Sequence, residues 1–187
     1  MTLQSQRYKI TVDEYYKMAE VGILKPADRV ELIEGEILTM SPINSPHMGM
    51  VNILTRFFFK EVGDNATISV QHPILLNEIS EPEPDIVLAK FRLDGYSKNK
   101  ITPSDIFLLV EVSDSTIAYD RETKIPLYAK ANIQEYWIVN IQKKQIEQYT
   151  QPKGNKYLSK KIIKKSGTIS CTTIDFSLNA GDIFPSN

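Results

Sequence analysis

Short apolar runs alternate with polar punctuation along the chain, and their periods predict its elements. Thr11-Val12-Asp13-Glu14 places a capping-type Thr three residues before a Glu. That pattern predicts a helix to about Glu20, stopped by Gly22. Leu32 to Leu38 reads as a hairpin with Gly35 in its turn, closed off by Ser41-Pro42. Ser45-Pro46 predicts a second helix, with Ser45 as cap and Pro46 at the first helical position. Its stripe of Met50, Val51, Leu54, Phe57, Phe58 and Val62 has roughly helical spacing and stops near Gly63. Strand character follows in Thr67–Val70, Ile74–Leu76 and Asp85–Ala89, the last entered through Pro84. After a polar loop from Phe91 to Ser104, Ile106–Val112 has the continuous apolar character of a central strand buried on both faces. Arg121–Ala131 reads as helix, Tyr136–Val139 as a buried strand, and Gln145–Thr150 with Tyr157–Lys165 as a hairpin around Pro152-Lys153-Gly154-Asn155.

The Ile106–Val112 strand, the helix and the Trp137 strand form a unit long enough for a crossover. The expected class is therefore α/β on the border of α+β. A mixed central sheet is flanked by helices and extended by a C-terminal β-hairpin. With 187 residues and no repeat or low-complexity linker, a single domain over residues 1–187 is expected. Lys and Arg number 22 and Asp and Glu 23, a net charge of −1, which excludes a uniformly basic nucleic-acid wrapper. Cys171 is the single cysteine, so a disulfide framework and a cysteine zinc cluster are excluded. No run reaches the roughly 18 apolar residues of a membrane span, and the polar start carries Asp13 and Glu14. A cytoplasmic chain without a membrane partner is expected.

Glu111 is the one charged residue in Ile106-Phe107-Leu108-Leu109-Val110-Glu111-Val112. An ionised carboxylate there must reach water at the strand end, pair with a cation, or bind a metal. Asp85 opens its strand directly after Pro84, which is either ordinary turn chemistry or a second carboxylate at a neighbouring strand end. Two such carboxylates suit a hard divalent cation, which leaves its other positions to water and substrate phosphate. Lys124 stands four residues after Asp120, a spacing that also suits a solvated helix pair.

Pro84-Asp85 followed by Glu111-Val112-Ser113 resembles the PD-(D/E)XK nuclease superfamily, with its restriction-endonuclease-like fold. The resemblance extends to Glu31-Leu32-Ile33-Glu34-Gly35-Glu36, Met40-Ser41-Pro42, His47, Pro82-Glu83-Pro84-Asp85-Ile86, Lys124 with Tyr128, and Glu135-Tyr136-Trp137-Ile138-Val139. In that order these motifs resemble the Uma-two family of bacterial endonucleases, with a family-like core over about residues 11–150 and a β extension over 151–187. The simplest superfamily pattern has Lys where this chain has Ser113, so the resemblance implies a migrated lysine, for which Lys124 is the candidate.

The resemblance implies a magnesium-dependent endonuclease hydrolysing DNA phosphodiesters, with Mn2+ as a substitute ion. Asp85 and Glu111 would bind metal, with Lys124 and Glu34 as further catalytic candidates. Glu34-Gly35 is equally a good hairpin turn. His47, Ser113 and Tyr128 are candidates around the site: His47 as a phosphate contact or a plain helix start, Ser113 as a hydrogen-bond partner or strand end, Tyr128 as packing beside Lys124. Lys153, Lys156, Lys160, Lys161, Lys164 and Lys165 fall in a stretch without acids. Lys156, Lys160, Lys161 and Lys164 are candidate phosphate contacts, or else lysines guarding a sheet edge. The function implies a homodimer, since two sites cut a duplex most simply. The alternative from another class is a non-catalytic nucleic-acid-binding or protein-interaction module that retains the fold.

Overall fold

A computed structural model describes residues 7–25 and 27–184. Helix α1 (Val12–Glu20) starts with the expected capping box, Thr11 accepting from the Glu14 backbone and Glu14 returning to the Thr11 N–H. Strands β1 (Val30–Ile33) and β2 (Glu36–Thr39) form the expected hairpin. Glu34 and Gly35 both have positive φ in its tight turn. Gly35 is required there, since a Cβ would lie 2.7 Å from Cβ of Lys9.

Helix α2 (Ser45–Val62) begins one residue earlier than its sequence pattern predicts. Asn44, not Ser45, is the cap, accepting from the His47 N–H at 2.9 Å. An amide oxygen at Asn44 does what the Ser45 hydroxyl would have done, so Pro46 becomes the second helical residue. Met50, Val51, Leu54, Phe58 and Val62 form its buried stripe.

The main sheet has order β3-β4-β5-β6-β7-β8. Its strands are β3 (Ala66–Val70), β4 (Ile86–Lys90), β5 (Ile106–Ser113), β6 (Glu135–Asn140), β7 (Gln145–Lys153) and β8 (Lys156–Lys164). Only β5 and β6 pair in parallel, joined by the expected helical crossover. That helical run comprises α3 (Ile117–Tyr119), a wide π turn (Asp120–Lys124) and α4 (Ile125–Lys130), with right-handed helical backbone through the junctions. The wide turn ends just before Pro126, which cannot donate to the preceding turn. Ile74–Leu76, expected as a strand, joins no ladder. Lying between Pro73 and Pro82, it makes scattered backbone bonds, Ile74 to Pro82 and Leu75 to Ile101.

β5 is covered on both faces, as its apolar run requires. Leu108, Val110 and Val112 pack toward α2, Trp137 and Phe176. Leu109 packs on the opposite side with Leu127, Tyr128 and Tyr136. Past β8 the chain returns through β9 (Thr168–Ser170), β10 (Ser177–Asn179) and α5 (Ala180–Ile183). Buried Glu135 anchors this return, accepting from Trp137 Nε1 and the Thr172 backbone N–H, both at 2.6 Å. The result is a restriction-endonuclease-like α/β fold with a mixed six-stranded sheet.

Candidate active site

Strand alternation places Glu111 on the Leu109 face of β5, looking at the crossover helix rather than at α2. Asp85 sits immediately before β4, the antiparallel neighbour of β5. The two strand ends are stitched together by the carboxylates. Asp85 Oδ2 accepts from the Val112 N–H at 2.8 Å, and Glu111 Oε2 accepts from the Asp85 N–H at 3.3 Å. Gln71, just past β3, adds an amide contact to Asp85 Oδ1 at 3.3 Å. His47, in the first turn of α2, sets Nε2 3.0 Å from Asp85 Oδ2.

From the crossover helix come Lys124 and Tyr128, one turn apart. Lys124 Nζ lies 3.4 Å from Glu111 Oε1, and the Tyr128 hydroxyl donates to the same oxygen at 2.8 Å. The second anion beside Lys124 is Glu31 of β1, at 2.6 Å. Glu31 is fully engaged. Its Oε2 also accepts from the Glu83 N–H at 3.1 Å, and its Oε1 from the Tyr119 hydroxyl at 2.8 Å. Asp85, Glu111, Lys124, Glu31, His47 and Asp120 line one cleft of about 290 Å3.

These contacts set the charge states. Burial alone would drive the Lys124 ammonium to deprotonate, but Glu111 and Glu31 more than offset it and hold its pKa above the usual lysine value. Lys124 is therefore a fixed cation and not a base. Burial pushes the Glu111 carboxyl well up, with Lys124 opposing. His47 is raised by its hydrogen bond to Asp85 against the effect of its burial. Asp120 is raised to about 6 by burial, although the hydrogen bond from the Thr116 hydroxyl, at 2.9 Å, favours its ionised form.

Asp85, Glu111 and Lys124 thus meet, with His47 and Tyr128 in contact with them. Ser113, fully buried, stands beside Asp120. Glu34 does not join them. It occupies the β1–β2 turn, exposed, and pairs with Lys130 at 2.7 Å. The acid that this hairpin sends inward is Glu31, because strand alternation points it to the interior while the turn points Glu34 to solvent. The signal was present: like Glu111, Glu31 is a lone charge in an apolar strand, here Val30-Glu31-Leu32-Ile33. Asp120 was legible only as a helix partner of Lys124, yet Lys124 pairs with Glu31 and Glu111 instead. Lys156, Lys160, Lys161 and Lys164 lie outside the cleft lining, on β8 at the sheet's far edge. Three strand spacings separate β8 from β5, about 14 Å. Lys160 is engaged there by buried Glu147 at 2.8 Å.

The sequence matches the Uma2 family, described as putative restriction endonucleases, over residues 12–181. The chain belongs to the Uma2 family. The match runs past residue 150 into β10 and α5. A crystal structure of a putative nuclease belonging to DUF820 from Anabaena variabilis has the same fold, with a TM-score of 0.69. It is 14% identical and aligns over 94% of this chain and 97% of its own. None of the curated proteins matches the chain. Uma2 membership supports a nuclease acting on nucleic acid.

The donor set also bears on a metal. No group of three or more His, Cys, Asp or Glu among the described residues is arranged as a metal cage. Asp85 and Glu111 instead offer hard oxygens from adjacent strand ends in one cleft, the sparse carboxylate set that Mg2+ accepts when water and phosphate complete its shell. The residues fit an ion of that kind and offer no thiolate for a soft one. No helix among the described residues is long and apolar enough to cross a membrane.

Proposed function

We propose that the protein is a Mg2+-dependent endonuclease that hydrolyses DNA phosphodiester bonds, with Asp85 and Glu111 as metal ligands. The observation that carries this reading is the convergence of Asp85, Glu111 and cationic Lys124 in one cleft from three separate elements. The electrostatics favour a metal as well. Glu31, Asp85 and Asp120 would repel a phosphate, and Lys124 shares its single charge with Glu31. A divalent ion, when bound, would lower the pKa of its water and polarise the scissile phosphate. Mn2+ has the same oxygen preference and would substitute.

The chain's own residues supply the rest. Lys124 keeps a positive charge beside Glu111 and stabilises charge developing on the phosphate. Glu31 fixes the Lys124 ammonium in place, and Tyr128 fixes the Glu111 carboxylate. His47 orients Asp85 from the start of α2. The exposed β8 lysines Lys156, Lys161 and Lys164 attract the strand at a distance, outside the chemistry. Duplex cutting calls for a homodimer, which sedimentation at micromolar concentration tests. A sharp monomer at all concentrations contradicts it. The function is tested by plasmid cleavage with and without Mg2+, using Asp85→Ala and Glu111→Ala as controls. A parallel RNA arm decides the sugar.

A further inference from the structure

A strand that enters the cleft meets more acids than cations. The cationic side chains of its lining are Arg29, His47 and Lys124. A divalent ion on Asp85 and Glu111 answers only the phosphate it touches. The next phosphates of the strand, spaced about 3.4 Å along a duplex axis, face Glu31, Glu83 and Asp120 and need a cation of their own. Two of the three cations are committed. Lys124, its side chain 4% exposed, is held by Glu31 at 2.6 Å and Glu111 at 3.4 Å. His47 Nε2 rests on Asp85 Oδ2 at 3.0 Å. The β8 lysines stand at the far edge of the sheet.

Arg29 differs from both. It immediately precedes β1, and its carbonyl accepts from the Met40 N–H at 2.8 Å, so the open end of the β1–β2 hairpin fixes its backbone. Its guanidinium lies between two other residues of the cleft lining. Nη1 donates to the Ser41 carbonyl at 3.4 Å, and Nη2 lies 4.0 Å from Glu83 Oε1. Both contacts are at the outer limit for a hydrogen bond and an ion pair. A guanidinium carries five N–H donors in a planar fork, and no described residue accepts from the others. The side chain is 37% exposed, so a ligand in the cleft can reach it.

We infer that Arg29 grips a phosphate flanking the scissile one, through two parallel N–H···O bonds of its fork. Planar, permanently charged and short of partners, it matches two phosphate oxygens as a lysine would not. The exchange costs little. A half-exposed pair as slack as Arg29–Glu83 contributes at most about 1 kcal/mol, and water takes over the Ser41 carbonyl. The inference rests on the nuclease reading for the strand and for the ion that holds the scissile phosphate.

Cleavage and binding by the full chain test it. In Mg2+, Arg29→Gln raises KM for DNA by about 10–100-fold, the worth of a charge-assisted hydrogen bond, with kcat within about twofold and the thermal midpoint held. Binding of a labelled DNA duplex, with Ca2+ in place of Mg2+, is followed by anisotropy across a salt series. The slope of log Kd against log salt falls by about 1 in Arg29→Gln. It holds in Arg29→Lys, which keeps the charge, and in Arg56→Gln, whose exposed arginine on α2 is outside the cleft lining. Equal falls for Arg29→Gln and Arg56→Gln overturn the inference, as does a fall in Arg29→Lys. So does a KM change that comes with a lowered midpoint, which marks a structural role. A chain whose slope falls in Arg29→Gln but which cuts nothing contradicts the nuclease reading and leaves the phosphate contact standing. One that cuts, with slope and KM unmoved by Arg29→Gln, overturns the contact alone.

Discussion

Replacing Lys124 with Met keeps the length of the side chain and removes the ammonium that lies 2.6 Å from Glu31 and 3.4 Å from Glu111. At an effective dielectric of about 20, each contact is worth about 5–6 kcal/mol before desolvation. Burying three ions takes back several kcal/mol each. The variant therefore reads mainly the penalty of leaving Glu31 buried without its cation, about 3–5 kcal/mol, since Glu111, already raised by burial, takes up a proton once Lys124 no longer opposes it. Glu31→Gln alone strands part of the lysine's charge and costs a comparable amount. Together the two changes cost less than their sum, with a coupling of about 2–3 kcal/mol. The assay is urea unfolding in metal-free buffer, followed by the fluorescence of Trp137, the single tryptophan, which is fully buried. Single costs that add to within about 0.5 kcal/mol, as for sites out of contact, would refute the claim that Lys124 is clamped by Glu31.

Other outcomes follow from neighbouring contacts. Lys124→Met lowers the cleavage rate by about 10²–10³-fold, the usual loss for one charge-stabilising donor; single-turnover kinetics at saturating Mg2+ measure it, and an unchanged rate contradicts the role. Asp120 has a raised pKa, so the native state binds its proton more tightly than the unfolded chain, and this contribution to stability falls as pH rises from the ordinary 3.8 through about 6. Asp120→Asn is accordingly more stable than the parent at pH 8, by up to about 3 kcal/mol, with the gain absent at pH 3; a gain equal at both pH values contradicts the assignment. Glu147 is buried, but hydrogen bonds from Arg121, Lys160 and Tyr149 overcome that and lower its pKa to about 2, so its contribution is present above pH 4.5 and lost as pH falls toward 2. Because Arg121 and Lys160 are partly exposed, about 1–2 kcal/mol is expected, and Glu147→Gln removes that acid sensitivity in a pH-dependent melt. Gly35→Ala costs about 1–2 kcal/mol from its positive φ alone, and more from the contact with Lys9, read as a drop in thermal midpoint.

Most of the fold was legible because its signals are local. The capping box at Thr11, the positive-φ turn at Gly35 and the apolar run of β5 each appear in the sequence as they appear in the structure. Two departures have equally local causes. Asn44 took the capping role from Ser45, and the prolines flanking Ile74–Leu76 kept that apolar run out of a ladder. The carboxylates were legible for a different reason: a charge in an apolar strand demands a partner, and both Asp85 and Glu111 have one. The partners themselves were harder to read. Glu31 meets Lys124 across 93 residues of chain, a pairing that only the folded arrangement of the β1–β2 hairpin against the crossover helix creates. The same long-range packing decided between Glu31 and Glu34, three residues apart and pointing opposite ways. The wide turn at Asp120–Lys124 has no simple sequence period, so the inward placement of Asp120 was hidden behind its helical spacing to Lys124.

Under the proposed function Asp85 and Glu111 form one metal-dependent hydrolytic site. Supercoiled plasmid incubated with the purified chain tests it most directly, with Mg2+ or EDTA and with Asp85→Ala and Glu111→Ala proteins confirmed as folded by Trp137 fluorescence. Nicked and linear DNA are expected only with the parent chain and Mg2+, and intact plasmid in the other arms. Cleavage that persists in EDTA, or in both folded variants, would contradict it.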